Sequence, residues 1–401
     1  MNKNNILFKM EEDIIKLAMT RTWAEINLEA LENNVKILKS LLKNNAKFLG
    51  VCKANAYGHG MAQIAKKLQE CNIDMIAVAT VQEGIELRKK GITIPILCFG
   101  QSIPELAELI CKYEITQAIE NLEIGKVFSE KALELNKKIK IHVKIDTGMG
   151  RIGFFWPGEE DSKEEEKNEI TKEIVELCKL PGLDAEGIFT HFADADNKEY
   201  TYSQINKFNE VLDYLSKLGI NFKLSHAAAS TGVLKYPEAH FNMGRFGLIL
   251  YGYASTDIGN KESNLNLKPL MTVKSRISTV RSLPKSSTVS YGCTYELERD
   301  SIIAVVPIGY ADGFPRCLSN IARVKIHNNL CPILGRVCMD MIMVDVTDVK
   351  EEVKAGDIAI IFDEELVTEN AQKANTIIHE ILSQFLPRIT RIYIDKEKIT
   401  L

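Results

Sequence analysis

From residue 48 to residue 247, short apolar runs alternate with stretches in which apolar positions recur every three or four residues. The runs at 48–53, 75–80, 94–99, 117–120, 139–146, 186–191, 222–225 and 241–247 predict eight strands, since roughly four to eight residues is the length of a buried strand. Helical spacing at 60–69, 81–90, 166–180 and 202–218 separates several of them. This alternation predicts an N-terminal (β/α)8 barrel of the TIM type. An open doubly wound sheet is the second choice. It would place a GxGxxG turn after its first strand, and the segment after residue 53 has none.

The rhythm changes near residue 254. Residues 255–267 are polar and rich in Gly, Asn and Ser, which predicts a linker. Short β-rich runs at 271–280, 302–307, 322–326, 341–346 and 358–362 follow, split by Gly, Pro, Asn and Asp. The expected organisation is an N-terminal extension at 1–21, a barrel at 22–254 and a mainly β domain at 268–401. Within the barrel region, 22–35 reads as a strand and a helix ahead of the first barrel strand, able to pack with the C-terminal domain. The charge run at 159–169 reads as a solvated loop and helix start with no function.

A chain of 401 residues exceeds the usual size of one core, in agreement with two domains. A net charge of −4 argues against nucleic-acid and anionic-membrane partners. The nine cysteines form no CxxC pair, and Cys52, Cys98 and Cys178 lie in apolar runs. That is the pattern of reduced thiols in the cytosol, with neither a disulfide framework nor a metal site. The N-terminus has the wrong charge pattern for a signal peptide, and no stretch is apolar enough to span a bilayer.

The chemistry begins at Lys53, at the end of the first predicted strand among Ala54, Ala56, Gly58 and Gly60. Burial disfavours an ammonium ion and makes its amine a nucleophile. The plain alternative is a surface lysine past a strand. Other predicted strand ends bring Arg151 in KIDTGMGRIGF, His191 in THFADAD, His226 and Ser230 in SHAAAS, and Arg245 in NMGRFG. Singly, His226 could be a core histidine and Arg245 a sheet-edge cap. Together they set one amine, two guanidiniums and two imidazoles on the barrel face where reacting groups sit. Like charges repel and burial is costly, so such a group calls for an anionic, planar ligand. Pyridoxal phosphate meets that demand, since its aldehyde condenses with a lysine amine. Ser230, Gly247, the Leu248 amide and the Tyr57 hydroxyl are candidates for its phosphate.

KANAYGHG, DTGMGRIGF, THFADAD, NMGRFG, VSYGCTY, IGYADG and GRVCMD occur in that order across nearly the whole chain. In this series the sequence resembles the alanine racemase family, pyridoxal phosphate enzymes with a β/α barrel and a C-terminal β domain. The resemblance implies two bases: Lys53 on the D-alanine side, and Tyr291 of VSYGCTY on the L-alanine side. A phenol, with an ordinary pKa of about 10, needs a polar or cationic neighbour to act as a base, and His191 is the expected one. In the family this tyrosine comes from the partner subunit, so a homodimer with shared sites is implied. Arg245 matches the arginine that faces the pyridine nitrogen, and His226 the residue that orients it. Arg151 would hold the substrate carboxylate, with the Met339 backbone N–H assisting. Lys144 matches a lysine that is often carbamylated. Tyr310, Arg316, Arg336 and Asp196 match the substrate entrance.

Three positions depart from the family pattern: Ala229 for asparagine, Met341 for glutamine, and Gln384 where a pocket tyrosine is usual. The last implies a larger, more polar pocket and some activity on L-serine. Supply of D-alanine to peptidoglycan is the role the resemblance implies. Two other readings stand beside it. One is a pyridoxal phosphate decarboxylase drawing on Cys293 or Cys338. The other is a non-catalytic cofactor-binding protein, which the second domain argues against.

Overall fold

The computed structural model describes residues 12–43, 45–100, 103–158, 164–253, 265–396 and 398–401. The start of the expected extension, part of the charge run and most of the expected linker lie outside them. The eight predicted barrel strands are present as Lys47–Val51, Met75–Val78, Ile96–Cys98, Ile115–Ile119, Ile139–Asp146, Leu183–Phe189, Leu224–His226 and Met243–Phe246. The first seven pair in parallel in chain order, and Met243–Phe246 pairs in parallel with Lys47–Val51. Between the last two strands only a bridge from Ala229 to Arg245 closes the circle, so the barrel is nearly closed. Phe48 and Phe246 stack at 4.0 Å over the closing pair. Helices start at side-chain caps: Asn121 and Asn197 each accept from a backbone N–H of the first turn, and Thr80 and Glu83 form a reciprocal capping box.

The rest is a mostly β unit. Thr22–Asn27 lies in its sheet, antiparallel to Met271–Arg276 and parallel to Thr390–Asp395. The early strand thus joins the two ends of the chain, and its helix, Leu28–Leu41, leads into the barrel. The expected run at 271–280 is two strands, Met271–Arg276 and Thr279–Leu283, which pair with different neighbours. Asn329–Leu334 and Thr390–Asp395 are additional strands. Two helices, Glu364–Lys373 and Ile378–Ser383, are also additional to the mainly β reading. Among the described residues, no helix is long and apolar enough to cross a membrane.

Candidate active site

Lys53 follows the first barrel strand, and the chain then turns left-handed. Ala54, Asn55 and Ala56 each have φ of 54°, and Tyr57 has 51°. Such a conformation costs roughly 1–2 kcal/mol per non-glycine residue, so neighbours must hold it. Glu83 accepts from Ala54 N–H at 2.7 Å and from Ala79 N–H at 2.8 Å. Asn55 Oδ1 accepts from Met61 N–H at 2.8 Å. The β unit supplies the outer clamp. Arg391 Nε donates to the Gly58 carbonyl at 3.0 Å, and the His379 ring packs against Tyr57.

Four cations share the mouth: Lys53, Lys144, Arg151 and Arg245. Lys53 is open to solvent yet flanked by protein. Burial first and Arg151 next lower its pKa, Glu83 opposes them, and Arg245 adds to the lowering. Lys144 is brought down to about 8 by burial, with Asp146 opposing and the two arginines adding. Arg245 is buried, with Nη1 donating to Thr190 O at 2.8 Å and Nη2 to Ala227 O at 2.5 Å. It also meets His226 Nδ1 at 3.3 Å and His191 Nδ1 at 3.0 Å, and lies over the Phe99 and Phe189 rings. Burial and Arg151 press its pKa down, but a guanidinium keeps its proton. Burial first, then Arg245, lowers both imidazoles well below the usual histidine range, so both are neutral.

The acids nearby do not cancel this charge. Asp146 is committed to its own loop: Oδ1 accepts from Gly148, Met149 and Gly150 N–H, and Oδ2 from Arg151 N–H at 2.9 Å. Burial pushes that carboxyl up, but the four donors outweigh it and hold it low. Burial raises Glu120. The ion pair Lys140–Glu186 lies at the other end of the barrel, and among the described residues none of the four mouth cations is in a salt bridge.

Beside the cations is a small cradle. Ser230 Oγ accepts from Gly247 N–H at 3.3 Å. A Cβ at Gly247 would lie 2.9 Å from the Tyr57 hydroxyl and 3.6 Å from Ser230 Oγ. Glycine leaves that space free beside two hydroxyls and the Leu248 backbone. This suits a compact anion such as a phosphate.

The other predicted residues lie elsewhere in the chain. Asp196 pairs with Lys235 at 2.5 Å. Tyr291 is 71% exposed and Met339 52%, and they line a common cavity of about 420 Å³ with Ser290, Cys338 and Met341. Tyr310 and Arg336 adjoin them: Tyr310 N–H donates to Cys338 O, and the Arg336 guanidinium lies against Gly292. Arg316 begins the short turn Arg316–Leu318. Among the described residues of one chain, no hydrogen bond or ring contact joins Tyr291 to the mouth; His191 Nδ1 meets Arg245. Gln384 lies in the C-terminal unit, just past the helix Ile378–Ser383. Its amide donates to Glu380 at 3.0 Å, and the side chain of that segment that reaches the lysine loop is His379. The short helix Ile378–Ser383 brings His379, five residues earlier in the chain, against Tyr57. Glu83 was also missed, although Thr80-x-x-Glu83 is a capping-box signature legible in the sequence.

Fold and site define an enzyme of amine chemistry: a parallel barrel with a pKa-lowered lysine at its mouth, uncompensated cations around it and an attached β unit. A family model described as the alanine racemase N-terminal domain matches residues 26–255, and one described as the C-terminal domain matches 270–393. An alanine racemase of Methanococcus maripaludis is 40% identical over 379 residues, covering 93% of this chain and 98% of that protein. The solved alanine racemase of Clostridium difficile 630 superposes with a TM-score of 0.89 at 39% identity, covering 95% of this chain and 97% of that one. A structure titled alanine racemase from Bartonella henselae with covalently bound pyridoxal phosphate gives a TM-score of 0.81 at 26% identity, covering 93% and 99%. The chain belongs to the alanine racemase family, pyridoxal phosphate-dependent isomerases that interconvert L- and D-alanine.

Proposed function

We propose that this chain interconverts L-alanine and D-alanine with pyridoxal phosphate held at Lys53, using Lys53 and Tyr291 as bases on opposite faces of the substrate. The observation that carries the reading is the mouth itself: a lysine of lowered pKa beside buried Arg245, with no carboxylate among the described residues in a salt bridge to either. The residues present fit the cofactor, because the space left by Gly247 between the Tyr57 and Ser230 hydroxyls suits its phosphate. When bound, the cofactor would supply an aldehyde for the amine and an electron-accepting ring.

The chain's own groups do the rest. Lys53 would return or remove the α-proton on one face and Tyr291 on the other. Arg245, a permanent donor, would face the ring nitrogen and leave it without a proton of its own. His226 orients Arg245. Arg151 and the Met339 N–H would hold the substrate carboxylate. Lys144, brought down to about 8, keeps a neutral fraction able to take up carbon dioxide, and its carbamate would give Arg151 an anion. Tyr310, Arg316, Arg336 and Asp196 would line the entrance. Supply of D-alanine to peptidoglycan synthesis in the cytosol is the role that fits this reaction.

Tyr291 would come from a second copy of the chain, giving a homodimer with two shared sites. Its exposure on the β unit, together with Met339 and Met341, supports this. Mixing Lys53→Ala with Tyr291→Phe after joint refolding tests it. Shared sites restore about a quarter of full activity, because half of the dimers are mixed and each holds one intact site. A mixture as inactive as its parts would end the shared-site reading. Borohydride reduction followed by peptide mapping tests the cofactor separately, and must label Lys53.

A further inference from the structure

Arg245 heads a line of polar groups that runs away from the mouth through the barrel interior. Side chains alternate along a strand, so Ile139–Asp146 sets Lys140, His142, Lys144 and Asp146 on one face. His142 and His226 are fully buried, and His142 Nδ1 is 2.8 Å from His226 Nε2. His226 Nδ1 is in turn 3.3 Å from Arg245 Nη1. Past His142 stands Glu186, with Oε1 3.8 Å from His142 Nε2, an electrostatic approach longer than a hydrogen bond. Glu186 also accepts from the Thr116 hydroxyl at 3.3 Å and pairs with Lys140 at 3.1 Å. It enters through a bulge: Ala185 pairs with Ile141 and Gly187 with His142, so Glu186 is the extra residue. Gly187 leaves room for the imidazole, since a Cβ there would lie 2.6 Å from it.

The direction of the protons follows from Arg245. A guanidinium only donates, so His226 Nδ1 must accept and its proton must sit on Nε2. That N–H donates to His142 Nδ1. The proton of neutral His142 is then on Nε2, the nitrogen that faces Glu186. Every link points from the cation toward the carboxylate. Arg245, His142 and Lys144 face His226, while Glu186, Lys140 and Arg245 face His142. Burial raises Glu186, but His142 and Lys140 outweigh it and hold it at about 2, so the end of the line is an anion.

We propose that His142 and Glu186 are positioning residues for Arg245, acting through His226. They give the His226 Nε2–H an acceptor and hold that ring in place, so that its bare Nδ1 stays aligned on Arg245 Nη1. They also keep the compensating carboxylate at the far end of the barrel. A carboxylate beside the ring nitrogen would favour its protonation, and a distant one balances the guanidinium without doing so. The catalytic part of this inference rests on Arg245 facing the ring, as proposed above.

Nitrogen-15 NMR of the cofactor-free protein, labelled at histidine, reads the tautomers directly. The expected result is Nε2 protonated and Nδ1 bare on both His142 and His226. Glu186→Gln keeps the size and an acceptor but removes the charge. It is expected to lower kcat about tenfold with KM for alanine within about twofold, and to shift the visible absorption band of the loaded enzyme. Should Glu186→Gln fail to fold, His142→Asn, which keeps an acceptor for His226 but breaks the link to Glu186, is read by the same kcat, KM and absorption band. A protonated Nδ1 on either histidine overturns the proposal, as does a Glu186→Gln enzyme with unchanged kcat and band. Failure of the cofactor reading is distinguishable: the unmodified protein would then show no band, whatever its tautomers.

Discussion

Tyr57 and His379 meet across the boundary between the barrel and the β unit, with ring centroids 5.9 Å apart and planes at 53°. Tyr57 leans on Tyr251 at 5.0 Å on its other side. The hydroxyl that borders the Gly247 cradle is therefore held partly by the C-terminal helix. Burial first and Lys53 next lower the pKa of His379. His379→Ala is expected to weaken pyridoxal phosphate binding about tenfold, equivalent to about 1.4 kcal/mol. His379→Tyr is expected to raise the preference for L-alanine over L-serine, and Gln384→Tyr to change neither property by more than about twofold. Absorption titration of the cofactor-free protein and initial rates on both substrates check this. A larger effect at Gln384 than at His379 would reverse the assignment.

The lysine loop depends on Gly58. Its φ is 82°, and a Cβ would fall 2.1 Å from the Leu382 carbonyl oxygen, so neither the backbone nor its neighbour can accommodate a side chain. Gly58→Ala is expected to destabilise the fold by roughly 2–4 kcal/mol. Denaturant unfolding measures it, and a loss below about 0.5 kcal/mol would show that the loop and helix separate freely.

Stability is expected to fall in acid. Burial brings His59 down to about 4, with carbonyls of Tyr57 and Ala56 opposing. Unfolded, an imidazole takes its proton at about pH 6.5. Between these values the unfolded chain binds more protons than the folded one, so stability rises with pH and is lost as pH drops below about 6.5. At about pH 5 the loss from His59 alone is on the order of 2 kcal/mol. His142, His191 and His226, all lowered by burial first, act in the same direction. Thermal melts are expected to show a Tm several degrees lower at about pH 5 than at about pH 7.5, and an unchanged Tm would contradict burial of neutral imidazoles.

Tyr291 separates folding from turnover. Being 71% exposed, it contributes little to the core of a single chain. Tyr291→Phe is expected to leave the stability of the cofactor-free chain within about 0.5 kcal/mol while lowering racemisation by about a hundredfold or more. Chiral chromatography of the products and a denaturant melt measure the two effects. A variant racemising at the full rate would remove Tyr291 from the chemistry.

The eight barrel strands were legible because apolar runs are local, and the mouth residues because they follow those runs in the chain. The C-terminal unit was read less well. Its strands at 271–276 and 279–283 are nearly continuous in sequence and separate only through their pairing partners. His142 was legible in principle, since alternation from Lys144 points it inward, but its meaning depends on His226, 84 residues away.

The amino-acid order alone determined which chemical groups the chain carries and on which strand ends they sit, because covalent spacing and side-chain period are properties of neighbours. Tertiary structure alone decided that the His379 ring meets Tyr57, that two imidazoles lie between Arg245 and Glu186, and that among the described residues of one chain no hydrogen bond or ring contact joins Tyr291 to Lys53. Such meetings join residues far apart in the sequence, so only the closed barrel and its attached sheet bring them together.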